Sequence, residues 1–99
     1  MFFNKLLNYK QTADSNKAKI IKKDVKKFKK LCLEKFKQNI NKGIDTTIVD
    51  FFQNVSHDFQ EEISEIVLTE LRQEHKGIEF SFSWSHFQNS YKGIRMVAV

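Results

Sequence analysis

At Gly77 the spacing of apolar residues changes from three-and-four to two, and this switch restricts the chain to a mixed helix-and-strand fold. Before it, Ala18, Ile21, Val25, Phe28, Cys32, Phe36 and Ile40 recur at helical steps. Ile48, Phe52, Val55, Phe59, Ile63 and Ile66 repeat that step, with Val49, Phe51, Val67 and Leu71 widening the arc. After it, Ile78, Phe80, Phe82 and Trp84 alternate with Glu79, Ser81, Ser83 and Ser85, the pattern of a half-buried strand. A second apolar run, 94–99, closes the chain.

Punctuation is sparse. There is no proline, and all three glycines stand in a Lys-Gly-Ile tripeptide, at Gly43, Gly77 and Gly93. Glycine closes helices and turns loops at no steric cost, so all three read as element ends. The first long helix is expected over 16–42, with Asp14 or Ser15 as its cap. The second is expected over 47–76, with Thr47 and Asp50 as a capping box. Residues 46–52 also carry the β-branched and aromatic character of a strand, but the helical period sustained through Leu71 outweighs it. Phe2, Phe3, Leu6, Leu7 and Tyr9 suggest a short amphipathic helix, with 11–15 as its linker. Two long helices joined by a short connection pack antiparallel by default.

The expected fold is therefore α+β in a single domain over 1–99: an N-terminal segment (1–15), a long antiparallel helical hairpin (16–76) and a two-stranded β-hairpin (78–99) packed on the second long helix. An isolated hairpin is marginal in water. Phe82 and Trp84 are accordingly expected in the core. Ninety-nine residues with ten Phe suffice for one core. Cys32, the only cysteine, lies on the apolar stripe of the first helix, which permits no internal disulfide and suits a reducing compartment. The N-terminus lacks the core and cleavage site of a signal peptide, and no stretch approaches the roughly 18 apolar residues of a membrane span. A cytoplasmic protein is expected.

Charge divides the chain in two. Up to Ile44 there are thirteen lysines against three acids, a net of +10; from Asp45 on, four cations meet nine carboxylates, a net of −5. Lysine outnumbers arginine fifteen to two, which weakens the total as a sign of phosphate binding, because arginine's planar fork grips phosphate in two places. The uneven distribution is the firmer signal. On a helical wheel Lys19, Lys22, Lys23, Lys26, Lys27, Lys29, Lys30 and Lys37 share an arc opposite the Ile21-Phe28-Cys32 stripe, interrupted only by Glu34. Such a row can track a phosphate backbone without reading bases, or it can be a solvated helix face. Asp50, Asp58, Glu61, Glu62 and Glu65 form an acidic counterpart on the second expected helix, a candidate face for a basic partner. Carboxylates there argue against a winged-helix reading, in which that helix would enter DNA.

Catalytic chemistry finds little purchase. His57 and Glu61 are four apart on one face, but a metal site needs three or four ligands and no second pair matches. There is no Gly-rich phosphate loop and no nucleophile elbow. The aromatic strand could stack bases, yet burial explains its alternation more simply. No catalytic, cofactor-binding or metal residue is assigned, and no small-molecule substrate is indicated. Size, basic charge and helix content are loosely similar to bacteriocin immunity proteins, which are helical throughout; the alternating strand at 78–84 departs from them, and no residue is carried over.

The function expected is a small non-enzymatic protein–protein interaction module, a regulator, inhibitor or immunity-type binder acting through charged helix faces and an open strand edge. The competing class is a sequence-nonspecific nucleic-acid binder using helix 16–42. Insertion of the N-terminal segment into a membrane surface is disfavoured by its length. The last strand is the expected adhesive edge: Ile94, Arg95, Met96 and Val97 carry one guard, Arg95, and pairing of two copies there would make a homodimer.

Overall fold

In the computed structural model the order is α1 (Phe2–Asn41), β1 (Thr46–Asp50), a 3-10 turn (His57–Phe59), α2 (Gln60–Glu74), β2 (Ile78–Ser85) and β3 (Ser90–Ala98). The structure describes the backbone of residues 2–85 and 90–99 and the side chains of 8–84 and 92–99. The fold is mixed helix and sheet: two helices lie on one face of a three-stranded antiparallel sheet of order β1-β3-β2.

α1 is one continuous helix where two were expected, because Asp14 and Ser15 sit inside it and residues 11–15 are helical. No Gly or Pro interrupts the stretch, and polar residues of modest propensity do not stop a helix already nucleated further on. It ends as the Lys42-Gly43 pair predicts. Gly43 takes φ +82°, its N–H donates to Ile40 O (3.0 Å) and the Ile44 N–H donates to Asn39 O (2.8 Å). These bonds complete a Schellman motif.

The second expected helix is half strand. Four β-branched residues, Thr46 to Val49, are stiff at χ1 and fit a pleated surface, and β3 offers them a ladder from Thr46↔Val97 to Asp50↔Gly93. The strand reading of this segment was the right one for 46–50, and the Thr47–Asp50 capping box does not exist. β1 also takes the return path along α1. α2 consequently runs parallel to α1, not antiparallel: Lys17 meets Glu62 (3.1 Å), and further along both helices Lys29 meets Glu70 (2.8 Å) and Glu74 (2.6 Å).

The core lies between the helices and the sheet. α1 contributes Val25, Phe28, Cys32 and Phe36; α2 contributes Ile63, Val67, Leu68 and Leu71; the sheet contributes Val49, Phe80, Ile94 and Met96. Phe51, just past β1, is fully buried, with its ring 5.1 Å from Phe28 and 6.3 Å from Phe82. Phe80 is core, whereas Phe82 is half-buried and Trp84 is 46% exposed, so the expectation for Trp84 is corrected. Trp84 follows a register shift after Ser83, near the end of β2.

Gly93 is no turn residue. It lies in β3 against β1, where an added Cβ would stand 2.8 Å from the Val49 carbonyl carbon and 2.9 Å from Asp50 Cα. Gly77, with φ +84°, does turn the chain from α2 into β2. Residues 86–89 of the expected turn lie outside the described residues.

Candidate functional site

The Lys stripe is built by burial of its opposite face. Once Phe28, Cys32 and Phe36 point into the core, the helical step places Lys19, Lys22, Lys23, Lys26, Lys27, Lys30 and Lys37 in solvent, and all seven are exposed. At 1.5 Å per residue the row from Lys19 to Lys37 spans about 27 Å. Among the described residues one of the seven joins an ion pair, Lys30 with Glu34 at 4.0 Å, and a surface pair of that length contributes little.

Lys29 leaves this row. Its side chain lies largely buried between the helices, donating to Glu70 and Glu74. Burial by itself would lower its pKa; the two carboxylate hydrogen bonds and their charge outweigh that and hold it above the ordinary value. Lys17 also reaches across the helices: it meets Glu62 and lies 5.4 Å over the Phe59 ring. Acids of α2 thus neutralise Lys17 and Lys29 within the chain, and the ridge keeps its charge.

The acidic candidates are not one helix face. Asp50 belongs to β1, Asp58 to the 3-10 turn and Glu61, Glu62 and Glu65 to α2; all are exposed. The split follows from β1 replacing the first turns of the expected helix. Ile94, Arg95, Met96 and Val97 are no open edge either, because β3 is the central strand, paired to β1 on one side and β2 on the other. Sequence reasoning missed this because it assigned β1 to a helix.

Beside the ridge an open groove of about 620 Å³ runs between the helices. Ala18, Ile21, Val25 and Ile66 form its apolar lining, with Lys22 and Lys26 on the α1 rim. Ile66, in the groove lining, is 37% exposed. On the other flank of α1 a mixed notch of about 410 Å³ lies between Lys27, Phe28, Lys30, Leu31 and Glu34 and the Gln53-Asn54 turn.

Other chemistry is thin. Burial pushes the Cys32 thiol up to about 12 against a smaller opposing effect of Lys35, which keeps it neutral and a poor nucleophile. Among the described residues no cluster of three or more His, Cys, Asp or Glu could hold a metal. His57 stands edge-on to the Phe52 ring, 5.3 Å between centroids. No described helix is long and apolar enough to cross a membrane. The side chains of Phe2, Phe3, Leu6 and Leu7, the basis of the membrane-surface reading, lie outside the described residues.

Several structural roles gave no motif in the sequence. Asp24 accepts the Ser56 N–H at 2.8 Å and ties the post-β1 turn to α1. Asn39 Nδ2 donates to the buried Thr47 hydroxyl at 2.9 Å. Arg72 Nε donates to Phe80 O at 3.0 Å. Set against protein families, characterised proteins and solved structures, the chain has no significant match.

Proposed function

We propose that this chain is a small non-enzymatic binding module whose working surface is the lysine ridge of α1 with the adjoining groove, and whose partner is an acidic segment of another protein. One observation carries the reading: the exposed Lys22 and Lys26 line the same groove as Ile21, Val25 and Ile66, while the acid that lines it, Glu70, is already paired with Lys29. A segment that places carboxylates on the ridge and apolar side chains in the groove satisfies both. Charge supplies steering and register while the groove supplies apolar burial.

The straightness and near-uniform sign of the ridge favour a second reading, sequence-nonspecific binding to nucleic acid through phosphates alone. The groove separates the two. Fluorescence anisotropy with two probes, an amphipathic helical peptide bearing Glu beside a Leu stripe and a random duplex, makes the test. For the protein reading, the peptide binds, and either Ile66→Asp or the triple reversal Lys22→Glu, Lys26→Glu and Lys30→Glu abolishes binding. For the nucleic-acid reading, the duplex binds, Ile66→Asp is silent, and affinity falls steeply as salt rises. Binding of neither probe at low salt would reduce the ridge to a solvated surface.

A further inference from the structure

β1 and β2 are the two edges of the sheet, and they are covered differently. The Ala98 N–H donates to Asp45 O and the Phe51 N–H to Lys92 O, each at 2.9 Å, at the two ends of the β1–β3 ladder. Alternation between those ends turns the backbone groups of Thr47 and Val49 toward β3 and those of Thr46, Ile48 and Asp50 outward. On β2, Arg72 covers the outward Phe80 carbonyl and Glu79 stands exposed as a charged guard. β1 has no Lys, Pro or bulge; its one charged residue, Asp50, stands exposed at the far end, and among the described residues only that end is occupied, where Asn54 Nδ2 donates to Asp50 O at 2.7 Å. Beside this edge lies a notch of about 350 Å³ lined by Lys35, Ile48, Val49, Asp50, Phe52 and Asn54.

We propose that β1 pairs antiparallel with β1 of a second copy, on a two-fold axis through Ile48, joining the two three-stranded sheets into one. Three features fit that occupant. In this register Ile48 meets its own copy and Thr46 faces the second copy's Asp50, so every residue with outward backbone groups finds one with the same orientation. The exposed apolar residues of the region obey the same centre: Ile44 is 47%, Ile48 50% and Phe52 62% exposed, and Ile44 falls opposite the second copy's Phe52. Charge is complementary as well. Asp45, exposed just before β1 with its carboxylate accepting the Thr46 hydroxyl at 3.2 Å, falls opposite the second copy's Phe51, near the notch that copy's Lys35 lines. The two-fold makes this contact twice. Asn54 releases Asp50 O, and the second copy's Thr46 N–H takes its place.

The inference is independent of the lysine ridge, since no ridge residue lies at this edge. Sedimentation equilibrium of the full chain, from low to high micromolar concentration, should show a monomer–dimer equilibrium. Ile48→Lys sets two ammonium groups opposite each other and should weaken the dimer about tenfold or more, with circular dichroism unchanged because the side chain is half-exposed. Lys35→Asp should also weaken it, and adding Asp45→Lys should restore it. Ile48→Cys should form a disulfide with its own copy under mild oxidation, since hydrogen-bonded partners stand about 5.5 Å apart between Cα atoms. Arg95→Cys, on the central strand, should not. A monomer mass at every concentration overturns the proposal. So does a dimer that Ile48→Lys leaves unchanged, or an Arg95→Cys chain that cross-links as readily as Ile48→Cys.

Discussion

From Asn8 to Asn16 every residue of α1 is exposed, whereas from Val25 to Phe36 the same helix buries Val25, Phe28, Cys32 and Phe36 against α2 and the sheet. No break separates the two stretches. The longest dimension of the molecule, 63 Å, matches the roughly 60 Å expected of 40 helical residues, so the first stretch projects from the body. The contrast concerns nucleation. Starting a helix is costly and extending one is cheap, so the docked half supplies the nucleus and the outer half continues from it without a core of its own. Local stability should fall along one helix with no change of backbone geometry.

The largest test breaks the docked half. Phe28→Ala removes a ring packed on Phe51 at full burial and should cost about 3 to 5 kcal/mol. Chemical denaturation followed by helical circular dichroism measures this. A cost under about 1 kcal/mol would mean that the docked half is no nucleus.

A smaller effect is expected at the interhelical clasp. Lys29→Met should cost about 1 kcal/mol at neutral pH, because it removes a cation held by two carboxylates that are themselves partly solvated. The pH dependence has a definite sign. Lys29 titrates higher folded than unfolded, so its stabilisation is complete below the ordinary value of 10.5 and is lost as pH rises through the higher folded value. The difference between wild type and Lys29→Met should stay level from neutral pH to about 10 and close above it. A difference that instead opens with rising pH would contradict the clasp.

The smallest effect sharpens the contrast between halves. Ala13→Gly and Lys30→Gly each replace an exposed residue of α1 and each carries a helix penalty of about 0.5 to 1 kcal/mol. Lys30→Gly should lower global stability by about that amount. Ala13→Gly should leave the denaturation midpoint alone and accelerate amide hydrogen exchange over residues 8–16 only. Equal effects on the midpoint would show that the outer half is part of the cooperative unit.

Much of this was legible locally. Residues 25–36 read as a helix because their apolar step is unbroken, and Cys32 reads as core because it lies on that stripe. The alternation at 78–84 reads as β2, and Lys42-Gly43 reads as a helix end. The seven ridge lysines were legible for the same reason, since the face opposite a buried stripe must face water. Residues 46–59 were not. Ile48, Phe52, Val55 and Phe59 keep a helical spacing, yet Ile48 and Phe52 are exposed while Thr47, Val49 and Phe51 are buried. The period of two that rules there is only five residues long, and periodicity alone cannot separate it from the helical pattern around it. Trp84 failed for a related reason: alternation assigns a face, but only the position of the helices says how far along a strand that face stays covered.

By itself, the sequence determined the two periods, the places where glycine ends α1 and α2, the burial of Cys32 and the segregation of charge, all of which act between residues close in the chain. Tertiary structure alone decided that β3 is central, that α2 runs parallel to α1, that Lys29 leaves the ridge for Glu70 and Glu74, and that Gly93 meets the β1 backbone. Those outcomes depend on β1 finding β3 more than forty residues away. A ladder across that distance is paid for by the whole core it closes, and no local pattern in 46–50 records that partner.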